Sequence, residues 1–239
     1  MSNPWDALSS TFDTKKDEGE ISSHAADNIL IAWPVVLDFI KENAPKEEDL
    51  RGLEYGCGGG GFAEKLNTLG YQVTGVDSSA EMIKVANAAH GSHIKFMVGD
   101  SSVLHTFEPF SIITSIMTLQ FIENIEKVVD DFSKALTPDG ILVFAVHNPE
   151  HVKEYLKAQI LFEDFNSNDQ PETGYLNLGG NKIPIFIRTA EEYNLLLKKK
   201  GFEPLLKAYP PFTKEFLSKY PISAPTEQSE FLILGYRKH

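Results

Sequence analysis

Residues Leu53 to Gly61 read Leu-Glu-Tyr-Gly-Cys-Gly-Gly-Gly-Gly, and the fold follows from how this stretch is read. An apolar strand start, an acid, and glycines at 56, 58, 60 and 61 describe a strand entering a glycine loop that opens a helix over Phe62 to Leu69. Glycine permits positive φ and lets the main chain approach a ligand that a Cβ would hold off. The helix aims its unsatisfied N–H groups and the positive end of its dipole into the same space. The combination points to a nucleotide-like cofactor.

Two templates fit the run. Gly56-x-Gly58-x-x-Gly61 satisfies the dinucleotide fingerprint, with Asp77 at the distance of a ribose-holding acid. Glu54-x-Gly56-x-Gly58-x-Gly60 instead resembles motif I of the class I, Rossmann-like S-adenosylmethionine (SAM)-dependent methyltransferases of the small-molecule type. There the acid two residues before the first glycine lies near the amino-acid end of the cofactor. A dehydrogenase usually carries an apolar residue at that point, so Glu54 favours the methyltransferase.

Later segments extend the resemblance. Tyr71 to Asp77 alternates as a strand ending in an acid, and Ser78-Ser-Ala-Glu-Met82 opens a helix. His93 to Val98 reads as a third strand, followed by Gly99-Asp100-Ser101. In the resembled family the acid ending the second strand takes both ribose hydroxyls, a role that suits a carboxylate. The apolar residue five positions on, here Met82, covers adenine. The acid after the third strand, Asp100, accepts from the adenine amino group, and the next N–H, that of Ser101, donates to the ring. The resemblance implies a cofactor site of Glu54, Gly56, Cys57, Gly58, Asp77, Ser78, Met82, Asp100, Ser101 and Met117. It also implies SAM as cofactor, S-adenosylhomocysteine as product, and no metal.

The wider pattern agrees with an α/β fold. Strands are expected near 51–55, 72–77, 93–98, 110–116 and 141–147, alternating with helices near 62–69, 79–89 and 124–136. Apolar strands alternating with helices imply a parallel sheet covered on both faces. Thr137-Pro-Asp-Gly140 is the turn feeding the fifth strand. Thr189 to Lys200 reads as an N-capped helix, with strands near 203–209 and 229–237. The expected whole is a Rossmann-like, seven-stranded, mostly parallel sheet with an antiparallel C-terminal strand. Four zones divide it: an N-terminal helical cap (1–48), a SAM-binding core (49–148), a substrate-lid insertion (149–188), and a helix and hairpin completing the core (189–239). Within the insertion, His151 to Phe162 reads as helix, Asn166 to Gly174 as a polar loop, and Lys182 to Arg188 as a strand.

Composition narrows the partners. The net charge is −12, and eleven acids between Asp6 and Asp49 face only four lysines in the first fifty residues. Such a surface repels phosphate backbones, which disfavours nucleic acid; a small-molecule acceptor is what the family resemblance implies. The one cysteine, Cys57, lies in the glycine loop, so no disulfide forms, and a reducing cytoplasm is expected. The longest apolar run, Ile29 to Val36, is too short for a membrane span and contains Pro34.

Methyl transfer from a sulfonium cancels charge, so the protein must mainly align the partners, exclude water and, where required, take a proton from the acceptor. In an open α/β sheet the acceptor belongs above the fourth and fifth strands. Ser115 to Thr118, at the end of the fourth strand, lacks the Asn/Asp-Pro-Pro-aromatic signature of base and glutamine N-methyltransferases. The fifth strand delivers His147, a general base or substrate-orienting group, and Asn148. Trp5, Phe12, Trp33 and Tyr175 are the aromatic candidates for the acceptor pocket, with Trp33, His147, Asn148 and Tyr175 its expected contacts. His24 and Asp27 precede a helix, Asp27 as a cap. The expected activity is methyl transfer to an oxygen or nitrogen atom. The alternatives are a SAM-binding protein without transfer activity and an NAD(P)-dependent oxidoreductase.

Overall fold

The computed structural model describes residues 3–9, 25–45 and 50–239. Phe12 and His24 lie outside the described residues. Seven strands form the main sheet. The first five are β1 (Arg51–Tyr55), β2 (Gln72–Asp77), β3 (Lys95–Val98), β4 (Phe110–Ile116) and β5 (Leu136–His147), and β9 (Phe202–Ala208) and β10 (Phe231–Lys238) follow much later in the chain. Their order is β3-β2-β1-β4-β5-β10-β9. β1 to β5 pair in parallel, and β10 runs antiparallel to both β5 and β9. The chain reverses its winding between β1 and β4, which opens a crevice above their carboxyl ends.

Helices α1 (Trp33–Asn43), α2 (Gly61–Thr68) and α3 (Ala80–His90) belong to the first half of the sheet. α1 and α2 share one apolar cluster, in which Trp33, Val36, Phe39, Phe62 and Leu66 meet Ile112, Val143 and Phe231. Helices α4 (Ile125–Ala135) and α6 (Ala190–Lys199) cover the other face, where Val128, Phe132, Tyr193 and Leu197 meet Leu53, Leu142, Phe144 and Leu234. Consecutive β5 residues therefore alternate between the two cores, as the two-residue period of a strand requires. The Thr189 hydroxyl and the Glu192 carboxylate close a capping box at the start of α6.

The described part of the N-terminal zone is less regular than its spacing suggests. A short 3-10 turn spans Asp6–Leu8, and a π-helical turn, Asn28–Ala32, leads into α1, with Pro34 in its first turn. β5 begins at Leu136 and takes in Thr137 to Gly140, expected as a turn ahead of it: Leu136 pairs with Phe110, and the register shifts past Asp139 at positive φ.

The insertion departs most from its sequence reading. Helix α5 (Pro149–Lys157) stops five residues before Phe162, and positive φ at Gln159 and Leu161 turns the chain into a strand. β6 (Phe162–Asn166), β7 (Glu172–Leu178) and β8 (Asn181–Ile187) form a separate antiparallel sheet. Glu172 to Gly174, expected in a loop, thus belongs to β7. Phe162, Leu176, Ile185 and Ile187 bury one face of this small sheet against Val152 and Tyr155 of α5, with Phe121 at its edge. Only that tertiary contact distinguishes these short apolar runs from helix or loop. A last helix, α7 (Lys214–Lys219), lies in the connection between β9 and β10.

Candidate functional site

The glycine loop after β1 is shaped by its neighbours. Gly56 has φ 73°, and a Cβ there would run into the Thr118 side chain, so glycine is required on both counts. The N–H groups of Gly56 and Cys57 both reach the Val76 carbonyl, and the Gly58 N–H donates to the Asp77 carboxylate at 2.9 Å. The other Asp77 oxygen accepts from the Ser79 N–H at 2.8 Å. Asp77 thereby joins the glycine loop to the start of α3 while its remaining lone pairs stay available. Burial raises its pKa, and Asp6 adds to the shift.

Glu54 is 1% exposed. Its carboxyl receives the Thr114 hydroxyl and bonds the main chain of Ile116, both neutral partners across the β1–β4 seam. Desolvation outweighs these bonds and lifts its pKa to about 8. Cys57 is buried, and burial followed by the charges of Asp77 and Glu54 holds its thiol well above its ordinary pKa. That makes it a small packing group rather than a nucleophile.

The remaining cofactor candidates lie around the same crevice. Met82 is buried, with its sulfur 4.0 Å from where a Cβ of Gly58 would stand. Ser79 caps α3, and its hydroxyl also donates to Asp6 at 2.6 Å. The exposed Ser78 hydroxyl accepts from Asn3 at 3.1 Å. Asp100 is exposed, and hydrogen bonds from Ser102 lower its pKa. Ser101 turns its hydroxyl away, to Asp131 at 2.5 Å, in a network joined by Lys127. Met117 follows β4 directly, with φ 52°, a conformation costly outside glycine, and precedes Thr118, whose side chain stands over Gly56.

The acceptor candidates separate. Trp33 is buried in the α1–α2 core with its ring 5.3 Å from that of Phe62, which removes it from the pocket. Tyr175 is 39% exposed and lies on the face of β7 opposite to Leu176, away from the apolar cluster. Asn148 has its amide committed: Nδ2 donates to the Ser229 carbonyl at 2.8 Å, and Oδ1 accepts from Glu150 as the cap of α5. His147 is 8% exposed and pairs with Phe231 across the β5–β10 ladder, with its ring 5.3 Å from Phe162. Its Nδ1 has no hydrogen-bond partner, and burial, with a smaller contribution from His151, lowers its pKa to about 3. So weak a base is poorly matched to removing protons near neutrality.

Two further features involve residues that sequence reasoning named, Trp5 and Asp27, with partners it did not foresee. Residues 3–9 cross the start of α3 through Asn3 and Asp6, and Trp5 packs on Phe121 with ring centroids 4.7 Å apart. At the end of β5, the carboxyl groups of Asp27 and Glu230 share a hydrogen bond, and the Glu230 carbonyl accepts from the Asn148 N–H. Desolvation raises the pKa of both, that of Glu230 well above the usual carboxylate range. Two carboxyls this close hold one proton between them. No local motif signals a pair separated by most of the chain.

A family model described as a methyltransferase domain matches residues 31–207. The ubiquinone biosynthesis O-methyltransferase of Idiomarina loihiensis is 31% identical over 163 residues, covering 66% of this chain and 64% of that one. The malonyl-[acyl-carrier protein] O-methyltransferase of Bacillus cereus is 30% identical over 143 residues, covering 58% and 53%. The chain thus spans between about half and two thirds of the length of these curated relatives. Among solved structures, the PH0226 protein of Pyrococcus horikoshii superposes with a TM-score of 0.69 at 18% identity, covering 98% of this chain and 99% of that one. An S-adenosylmethionine dependent methyltransferase from Mesorhizobium loti superposes with a TM-score of 0.64 at 20% identity, covering 90% and 98%. At these identities the structural likeness speaks for the fold.

Proposed function

Because this chain belongs to the class I SAM-dependent methyltransferase family, we propose that it transfers a methyl group to an oxygen or nitrogen atom of a small molecule bound above the carboxyl ends of β4 and β5. Oxygen ranks first, since the two curated relatives compared above are O-methyltransferases. The observation supporting this reading is that Glu54, the Gly56–Gly58 loop, Asp77, Met82 and Asp100 follow in motif order at or just past the carboxyl ends of β1, β2 and β3, which lie side by side in the sheet.

The residues present fit the family's cofactor. Asp77 offers two carboxylate oxygens at the end of β2, Met82 an apolar wall, and Asp100 an exposed acceptor after β3. Glu54 is a desolvated acid with only neutral partners, suited to an incoming ammonium group. When bound, SAM supplies an electrophilic methyl group on a sulfonium.

The chain's own contribution is alignment, water exclusion and proton removal. We infer that two segments close the crevice. One is Asn3 to Ser9, tied to Ser78 and Ser79, with Trp5 packed edge-on against Phe121. The other is the β6–β8 sheet, which reaches the same turn through Arg188, whose guanidinium donates to the Ile122 and Glu123 carbonyls at 3.0 and 2.9 Å. For a hydroxyl acceptor, the Asp27–Glu230 pair is the better proton acceptor than His147, because burial raises its pKa while burial lowers that of His147. His147 then serves to orient the acceptor as a neutral imidazole.

The test is incubation of the protein with methyl-labelled SAM and a metabolite extract, followed by identification of the labelled product. A small molecule labelled on oxygen or nitrogen supports the proposal. Cofactor binding without label transfer to any component rejects it in favour of a binding protein without transfer activity.

A further inference from the structure

Glu64 stands in the first turn of α2, His90 is the last residue of α3, and His93 lies between α3 and β3. None belongs to the cofactor or acceptor sites. Glu64 Oε2 is 3.3 Å from Nδ1 of His90 and 2.7 Å from Nε2 of His93, and the three donor atoms all lie within 4.8 Å of one another. We propose that Glu64, His90 and His93 form a binding site for a divalent transition-metal ion of the zinc class.

Three arguments support this. Zinc bonds of about 2.0–2.1 Å in tetrahedral geometry place ligand atoms roughly 3.3 Å apart. The Glu64–His90 pair already has that separation, and the Glu64–His93 pair reaches it by opening about half an ångström. The second argument is orientation. The Ser92 hydroxyl bonds the other ring nitrogen of His93 at 2.9 Å and so presents Nε2 to Glu64, the outer-shell arrangement typical of metal-binding imidazoles. The third is the donor set. Two imidazoles and one carboxylate suit zinc, cobalt or nickel rather than magnesium or calcium, which prefer oxygen.

Access and rigidity also fit. The His90 side chain is 3% exposed, while those of Glu64 and His93 are 36% and 43% exposed, so an ion can enter from solvent and keep water in the open positions. His90 backs onto the glycine loop, its Cδ2 3.1 Å from where a Cβ of Gly60 would stand. Two other histidines, His105 and His239, each meet a single carboxylate, of Asp131 and Glu203. Among the described residues, this is the group of three in which two imidazoles converge on one carboxylate oxygen. The bound ion would tie α2, α3 and the entry to β3 together behind the cofactor loop. It takes no part in methyl transfer.

The experiment is titration of the chelator-stripped full chain with Co(II), followed by visible absorption and by competition with Zn(II). One equivalent should bind, with d–d bands of a site of low coordination number. His93→Ala and Glu64→Gln should each weaken binding by about a hundredfold or more, since even outer-shell changes cost 10–100-fold. His239→Ala should bind as the parent does, and melting curves in chelator verify that each variant is folded. Should one substitution prevent folding, the other is read alone. Absence of stoichiometric binding in the parent overturns the proposal, as does unchanged affinity in a folded His93→Ala or Glu64→Gln variant.

Discussion

Glu54, at the carboxyl end of β1, receives the Thr114 hydroxyl of β4 across the seam where the sheet reverses its winding. The contact holds a buried acid at the centre of the crevice with no opposing charge among its bonded partners, which is why its pKa rises to about 8. An acid with a raised folded pKa stabilises the fold most when both states are protonated, below its ordinary value of 4.5. That contribution falls as pH rises and is gone above about 8. Glu54→Gln should therefore melt higher than the parent at pH 8 and lose the advantage toward pH 4. Melting curves of the two proteins across this range check the prediction, and identical pH slopes would contradict it.

The same proton reports on the cofactor. If an ammonium group approaches Glu54, the carboxyl ionises, and a proton leaves on binding near neutrality. Calorimetry of S-adenosylhomocysteine binding at pH 7 in buffers of different ionisation enthalpy should reveal proton release. In Glu54→Gln the release should disappear and the affinity should fall. Equal heats in all buffers would place the ammonium elsewhere.

Asp77 and Met82 should differ in cost. Asp77→Ala removes the acceptor of the Gly58 and Ser79 N–H groups as well as the expected ribose contact, and each charge-assisted bond is worth about 1.5–3 kcal/mol. Met82→Ala trims an apolar wall. Cofactor at a hundred times its Kd should stabilise the parent by about 2.7 kcal/mol. That stabilisation should be nearly lost in Asp77→Ala and only reduced in Met82→Ala when both are assayed at the same cofactor concentration. Equal losses in the two variants would refute the ribose assignment.

Asn148 makes a structural prediction. Its amide caps α5 and holds the Ser229 carbonyl, so Asn148→Ala should cost about 1–2 kcal/mol of stability through the lost cap and the lost bond. Cofactor affinity should remain at the parent's value. Chemical denaturation and calorimetry measure the two quantities separately, and a weakened cofactor without destabilisation would return Asn148 to the binding site.

The Asp27–Glu230 pair carries a pH signature of its own. Both folded pKa values are raised, so the pair opposes folding increasingly as pH rises above the ordinary carboxylate range. Glu230→Gln leaves Asp27 with a neutral amide partner and should gain stability on the alkaline side relative to the parent. The transfer rate of this variant should fall if the pair takes the acceptor's proton. Unchanged activity with the expected stability gain would assign the pair a structural role.

How far the sequence could be read depended on the range of the interactions. Glu54, the glycines, Asp77 and Asp100 are recognisable because each belongs to a short strand-turn-helix unit whose conformation is local. Thr189 was legible as a helix start for the same reason. Trp33, Asn148 and Tyr175 were not, because an aromatic or amide next to a motif has the same sequence signal whether it faces a pocket, a core or solvent. In the β6–β8 insertion, residues such as Phe162 and Leu176 take their strand conformation from pairing and from burial against α5.

The sequence by itself determined the alternation of strands and helices, the glycine loop with its acids, and thereby the family and the cofactor. These rest on spacing within a few residues, where main-chain conformation and side-chain periodicity are set by the chain's own neighbours. The tertiary structure alone decided what stands over the carboxyl ends of the strands and what gathers behind the loop. Asp27 meets Glu230, Asp6 meets Ser79, and His90 and His93 meet Glu64 only after the sheet has assembled. The pKa shifts of Glu54, His147 and the Asp27–Glu230 pair likewise arise from desolvation, a property of the surroundings that packing creates and no residue carries in its sequence.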